Sequence, residues 1–173
     1  MGKIYFISDV HLGFFERTID KKREDLLLAC LKNIKSDCDR LIIVGDFFDY
    51  WFEWKYAIPR YFYRTLALLA DFRASNIKIH YLMGNHDFAV LFEPFNFNSG
   101  AEQACFWTRR QFEEDTDLKR RSERWKFIGN LPVRIRTAEF VATHASPRRP
   151  INEYIFPDDI YTNPGKFHSI FEK

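Results

Sequence analysis

At 173 residues the chain suits one domain, spanning 1–173, and leaves little room for a second. Hydrophobic residues at 46% and charged residues at 29% give an ordinary globular balance, and a net charge of +2 is too small to argue for a nucleic-acid partner. Three cysteines (Cys30, Cys38, Cys105) without C-x-x-C spacing argue against a disulfide framework or a zinc–thiolate site and fit a reducing, cytoplasmic setting. No apolar run reaches bilayer length and the start shows no targeting segment, so membrane contact, if any, is peripheral.

Ile4 to Ile7 reads as a buried strand that ends at Ser8-Asp9. From about Asp20 to Lys35, apolar residues at Leu26, Leu27, Cys30, Leu31 and Ile34 form a helical stripe opposite Lys, Arg and Glu. Leu41 to Val44 is a second buried strand closing on Gly45-Asp46. Pro59 to Ala74 reads as a helix opened by proline at its first turn. Ile77 to Met83 is a third strand, closing on Gly84-Asn85. Strand–helix alternation of this kind implies an α/β sheet with its sites at the carboxyl ends of the strands. Beyond Asp87, residues 88–97 read as aromatic and irregular, 100–114 as helix, and 117–128 as a charged surface helix. Val133–Arg136 and Phe140–Thr143 read as two short strands joined by a tight turn. The proline-containing tail reads as loop before a short final helix.

Most of the ionisable side chains that follow strands fall in four clusters: Asp9-Val10-His11, Gly45-Asp46-Phe47-Phe48-Asp49, Gly84-Asn85-His86-Asp87 and Thr143-His144-Ala145. Singly, each is as well explained by a turn or a structural histidine. Together they would line one rim of a parallel sheet. Carboxylate, imidazole and amide oxygen are mixed hard and borderline donors that suit manganese, iron or zinc. A two-oxygen carboxylate such as Asp46 can bridge two cations, and a cation pair can clamp a phosphate and acidify water. Gly45 and Gly84 would let the backbone turn sharply beneath them.

In order and separation, Asp9-x-His11, Gly45-Asp46-x-x-Asp49 and Gly84-Asn85-His86-Asp87 resemble the first three motifs of the calcineurin-like metallophosphoesterases. The resemblance implies an α/β sandwich of mixed sheets flanked by helices, and hydrolysis of a phosphoester or pyrophosphate by a metal-bridged hydroxide. It implies two divalent ions, manganese foremost, with iron or zinc as alternatives. Asp9 and His11 would hold the first, Asn85 and His144 the second, and Asp46 both. His86, paired with Asp87, would stabilise charge on the phosphate or protonate the leaving oxygen, and Asp49 would orient a ligand. Residues 1 to about 92 are similar to the branch that cleaves the nucleotide-linked lipid UDP-2,3-diacylglucosamine. From about 95 onward, including the stretch from Thr143 to Tyr154, the chain resembles a serine/threonine phosphatase-like or diadenosine tetraphosphatase-like branch. The substrate classes left open are thus a phosphorylated small molecule such as a dinucleoside polyphosphate, a nucleotide-linked lipid and a phosphoprotein.

The family closes its site with a Gly-His-x-His motif. Here the only histidine after His144 is His168, without that context, so the resemblance implies that the chain stops before the motif, lacks the family's C-terminal strands and leaves each metal one ligand short. The rival reading is a catalytically impaired remnant that binds phosphate or a partner. Trp51, Phe52, Trp54 and Tyr56 offer either an apolar wall for a ligand or cover for the sheet. Arg148 and Arg149 offer either a bidentate grip on a second phosphate or solvated loop charges. The basic run Lys119–Lys126 reads as a solvated helix face, and His80 and His168 as structural residues.

Overall fold

The computed structural model describes residues 2–49, 61–94 and 96–172. Three parallel strands form the main sheet in the order β1 (Lys3–Ile7), β2 (Cys38–Ile43) and β3 (Lys78–Tyr81). Between them run α1 (Arg17–Ile34) and α2 (Tyr63–Ala74). The chain continues through α3 (Asn85–Leu91), α4 (Ser99–Glu113) and α5 (Leu118–Gly129), then an antiparallel hairpin of β4 (Arg134–Arg136) and β5 (Val141–Thr143), and ends in α6 (Asp159–Thr162) and α7 (Pro164–Phe171). Among the described residues no helix is long and apolar enough to cross a membrane.

Alternation along β2 builds two cores. Leu41 and Ile43 face α1 and α2, where they meet Leu27, Leu31 and Phe72. Ile42 and Val44 face the other way and meet Leu82 and Ala142, with Ile135 and Phe140 alongside. Each fully buried side chain of this size contributes about 1.5–3 kcal/mol of burial free energy. A third cluster joins α3, α4 and α5 through Val90, Cys105, Phe112 and Ile128. On the face of α1 that meets α2, Glu24 is fully buried, where its carboxylate accepts hydrogen bonds from Arg64 and Thr65.

Register is what positions the site. Ile7 pairs with Ile43, and Ile43 pairs with Tyr81, so the three strands end level. The ladder runs on through Val44 N to Ile7 O and Leu82 N to Ile43 O, both 2.8 Å. The loops after β1 and β2 stay zipped: His11 N donates to Asp46 O (3.0 Å) and Leu12 N to Phe47 O (3.1 Å).

Several expectations are corrected. β1 is not fully buried: it lies at the edge of its sheet, and Ile4 and Phe6 on its hairpin side are 39% and 50% exposed. α2 begins at Tyr63 after Phe62 in left-handed conformation, and Pro59 lies outside the described residues, as do Trp51, Phe52, Trp54 and Tyr56. Residues 88–91, expected to be irregular, belong to α3, which starts directly after Gly84 and buries Ala89 and Val90. The basic run on α5 is only partly solvated, because Arg120 and Arg124 both grip the buried Asp115 carboxylate.

Candidate metal centre

The carboxylate of Asp46, 3% exposed, is the hub. Its Oδ2 lies 3.5 Å from His144 Nε2 and 3.9 Å from both His11 Nε2 and His86 Nε2. Asp9 Oδ1 is 3.8 Å from His11 Nε2, and Asn85 Oδ1 is 3.0 Å from His144 Nε2. The five residues expected to hold metal are therefore brought together at one end of the sheet. Two triads, Asp9–Asp46–His144 and His11–Asp49–His86, each keep their ligand atoms within 4.8 Å of one another.

The backbone is bent to make this possible. Asp9, His11 and Asp46 all have positive φ, at 53°, 44° and 49°, a region that costs a non-glycine residue about 1–3 kcal/mol unless its surroundings enforce it. Gly45, at φ +81°, is needed for closeness as well as for conformation: a Cβ there would sit 2.7 Å from Gly84 Cα and 2.8 Å from His144 Nδ1. A Cβ on Gly84 would strike the Asp46 carboxylate.

The donor set fits divalent cations. His144 Nδ1 donates to Val44 O at 2.9 Å, which orients the ring so that Nε2 faces the centre. That nitrogen meets two acceptors, Asn85 Oδ1 and Asp46 Oδ2. Acceptors facing each other at such distances repel unless a proton or a cation sits between them. Donors about 2.0–2.2 Å from a common ion lie about 3–4 Å apart, the spacing found here.

Without a cation, protons take part of its place. His11 is pushed up to about 9 by its hydrogen bond to Asp49 (Nδ1 to Oδ1, 3.3 Å) and then by Asp9, against the effect of burial. Asp9 is held below the usual carboxylate range by His11 in turn. Asp87 is pushed up to about 7 by burial, and Tyr154 to about 12 by burial and then the charges of Asp46 and Asp9.

His86 and Asp87 do not form the expected pair. Adjacent residues of a helix point in different directions. Asp87 instead caps α3, accepting from Gly84 N at 3.0 Å. His86 turns Nδ1 to the Asp49 carbonyl (3.2 Å), and its ring lies 4.9 Å from that of Phe97. The Arg148 fork is closed on Glu153, at 3.1 and 2.6 Å, with Ser169 Oγ taking a third bond at 2.8 Å. This differs from the expected grip on phosphate: the charge is already matched. Arg149 is exposed beside it, and His168 is exposed on α7. The sequence reading missed Phe97 against His86, and Arg23, which bonds to the loop carrying His11.

Residues 2–168 match the calcineurin-like phosphoesterase family, and the chain belongs to that family. It is 41% identical over 86 residues to a UDP-2,3-diacylglucosamine hydrolase of Porphyromonas gingivalis, a match covering 50% of this chain and 33% of that one. A protein of the same name from Ralstonia nicotianae is 28% identical over 89 residues, covering 51% and 32%. The matched stretch thus spans about a third of these relatives' length. Among solved structures, a metallophosphoesterase from Sphaerobacter thermophilus aligns at a TM-score of 0.52 and 24% identity, over 98% of this chain and 56% of its own. A hypothetical protein from Pyrococcus horikoshii OT3 aligns at 0.60 and 12% identity, over 97% and 64%. These likenesses establish the metallophosphoesterase fold.

Proposed function

We propose that this chain carries the two-cation centre of a hydrolase that cuts a phosphoester or phosphoanhydride bond, and that its substrate is a nucleotide-linked lipid. The observation that carries the reading is the convergence of three imidazole Nε2 atoms on one buried oxygen, Asp46 Oδ2, within 3.9 Å. Asp9 and His11 would hold one cation, Asn85 and His144 the other, with Asp46 reaching both; manganese is the first candidate. When bound, such a pair polarises the phosphorus and makes water nucleophilic near neutral pH.

The chain's own residues set the geometry. Val44 O fixes the His144 ring by accepting from Nδ1, and Asp49 Oδ1 does the same for His11. Asp49 O orients His86, so that its Nε2 faces the centre and can donate to a phosphate oxygen or protonate the leaving oxygen. Asp87 fixes the turn that carries His86. Of the two arginines, Arg149 is the one proposed to meet substrate phosphate, since Arg148 is neutralised by Glu153.

Two observations favour a lipid-linked substrate. The relatives from Porphyromonas gingivalis and Ralstonia nicotianae are UDP-2,3-diacylglucosamine hydrolases. A cavity of about 730 Å³, with apolar side chains from α2, α4 and α5 such as Leu66, Leu69, Phe112 and Phe127, is also lined by His86 and Asp49. That volume is ample for a hydrocarbon chain. The test is Mn²⁺-dependent hydrolysis by this chain of UDP-2,3-diacylglucosamine beside an aryl phosphodiester, with Asp46→Ala as the control. Turnover of both, abolished in D46A, is expected. Turnover of the diester alone would remove the lipid assignment, and metal binding without turnover of either would favour the impaired phosphate-binding remnant.

A further inference from the structure

Arg23 makes two hydrogen bonds that no part of the proposed chemistry uses. From the second turn of α1 its Nη2 donates to Val10 O (2.5 Å) and its Nη1 to His11 O (3.1 Å), two consecutive carbonyls of the loop that carries the proposed ligands Asp9 and His11. Nη1 also donates to Asp20 Oδ1 at 3.2 Å, one helical turn earlier, and the Phe15 ring lies 4.7 Å below the guanidinium. Asp20, 2% exposed, uses its other oxygen to accept from Gly13 N at 3.1 Å. Together the two side chains hold the backbone at Val10, His11 and Gly13.

This is where the backbone needs holding. Asp9 and His11 are both left-handed, and Gly13 has φ 105°. On the other side the loop is zipped to the β2 loop by the bonds from His11 N and Leu12 N. Val10 O and His11 O take their bonds from Arg23, and His11 O also accepts from Phe14 N at 3.3 Å. Loss of the guanidinium would strip Val10 O of this donor and leave His11 O with Phe14 N alone, which favours relaxation of the turn and would swing His11 Nε2 away from Asp46.

The geometry points to Arg23, with Asp20, as a positioning pair that holds the first metal's ligands in place. Arginine bears no lone pair for a cation and acts only through the loop; this role rests on the metal reading above. A lysine keeps the charge but lacks the planar fork that spans two carbonyls. Arg23→Lys is therefore the discriminating variant, and Asp20→Asn tests the partner.

The experiment is calorimetric titration of the metal-free chain with Mn²⁺, with thermal melting in parallel. Outer support of a metal ligand is worth roughly 10–100-fold in affinity. R23K and D20N should weaken one of the two Mn²⁺ sites by that factor, and raised Mn²⁺ should restore turnover. Arg64→Lys, which weakens the α1–α2 pair with Glu24 away from the loop, should lower the melting temperature while leaving both Mn²⁺ affinities as in the parent. An R23K titration that overlays the parent overturns the assignment, as does the same affinity loss in R64K. A parent chain that binds no Mn²⁺ would instead overturn the metal reading, and this role with it.

Discussion

His11 and His144 both face Asp46 Oδ2, at 3.9 and 3.5 Å, yet the chain supports them in different ways. His144 has a side chain only 1% exposed and a ring oriented by a backbone carbonyl. Its loop is tied from within: Ser146 N donates to Glu153 O, Ala145 N to Pro150 O, and the Glu153 carboxylate gathers Ser146 and Arg148. His11, at 27% exposure, sits on a left-handed backbone and is oriented by Asp49, with its loop held from outside by α1. One imidazole is oriented by the backbone; the other is oriented by a carboxylate that also favours its proton. Preorganisation and charge compensation are thus divided between the two halves of one centre.

The largest effect should follow from removing what the halves share. Asp46→Ala should take Mn²⁺ binding and any hydrolysis below detection, while His86→Ala should keep Mn²⁺ binding and lose turnover. Equal loss of binding in H86A would make His86 a ligand and redraw the comparison.

Next comes the proton on His11. Because the metal-free side chain titrates at about 9, Mn²⁺ must displace a proton at neutral pH. Apparent affinity at the site that includes His11 should rise about tenfold per pH unit from 7 and level off near 9, as expected when that ion displaces one proton. His11→Asn should flatten that rise, and a flat profile in the parent chain would contradict the assignment. A smaller but general effect is expected at Gly45. Replacing it with alanine forces a left-handed Cβ against the Gly84 backbone and should cost about 1–3 kcal/mol in thermal unfolding.

The subtlest prediction separates the loops by pH. His11 titrates at about 9 when folded against 6.5 as a free side chain, so its contribution to stability is full below 6.5 and lost as pH rises through 9. Glu153 is drawn down from 4.5 to about 2, by Arg148 first and Ser146 next. Its contribution is present above 4.5 and lost as pH falls toward 2. Melting curves of the metal-free chain should therefore weaken at both ends of the scale. Glu153→Gln should soften the acid limb, which Asp115 shares, and leave the alkaline one unchanged; H11N should flatten the alkaline limb and, by releasing Asp9, trim the acid one as well.

Much of this was legible in the sequence because strand ends are strongly marked. Ile4–Ile7, Leu41–Val44 and Ile77–Met83 each run into a polar turn, and level register does the rest. Three things were not legible, each for a physical reason. α3 is only seven residues long and rich in apolar side chains, so its period was hidden. In the sequence Arg148 is a phosphate grip or a solvated charge, although its partner Glu153 stands five residues further on; only the fold of the loop shows that they meet. Arg23 carries no motif, because what it recognises is backbone, and backbone carbonyls look alike in any sequence.

The most direct measurement is anomalous diffraction from crystals grown with Mn²⁺. Two peaks are predicted, both within coordination distance of the Asp46 carboxylate, one also beside Asp9 and His11 and the other beside Asn85 and His144. Saturating Mn²⁺ with no peak at Asp46, or a single ion held elsewhere, would contradict the account.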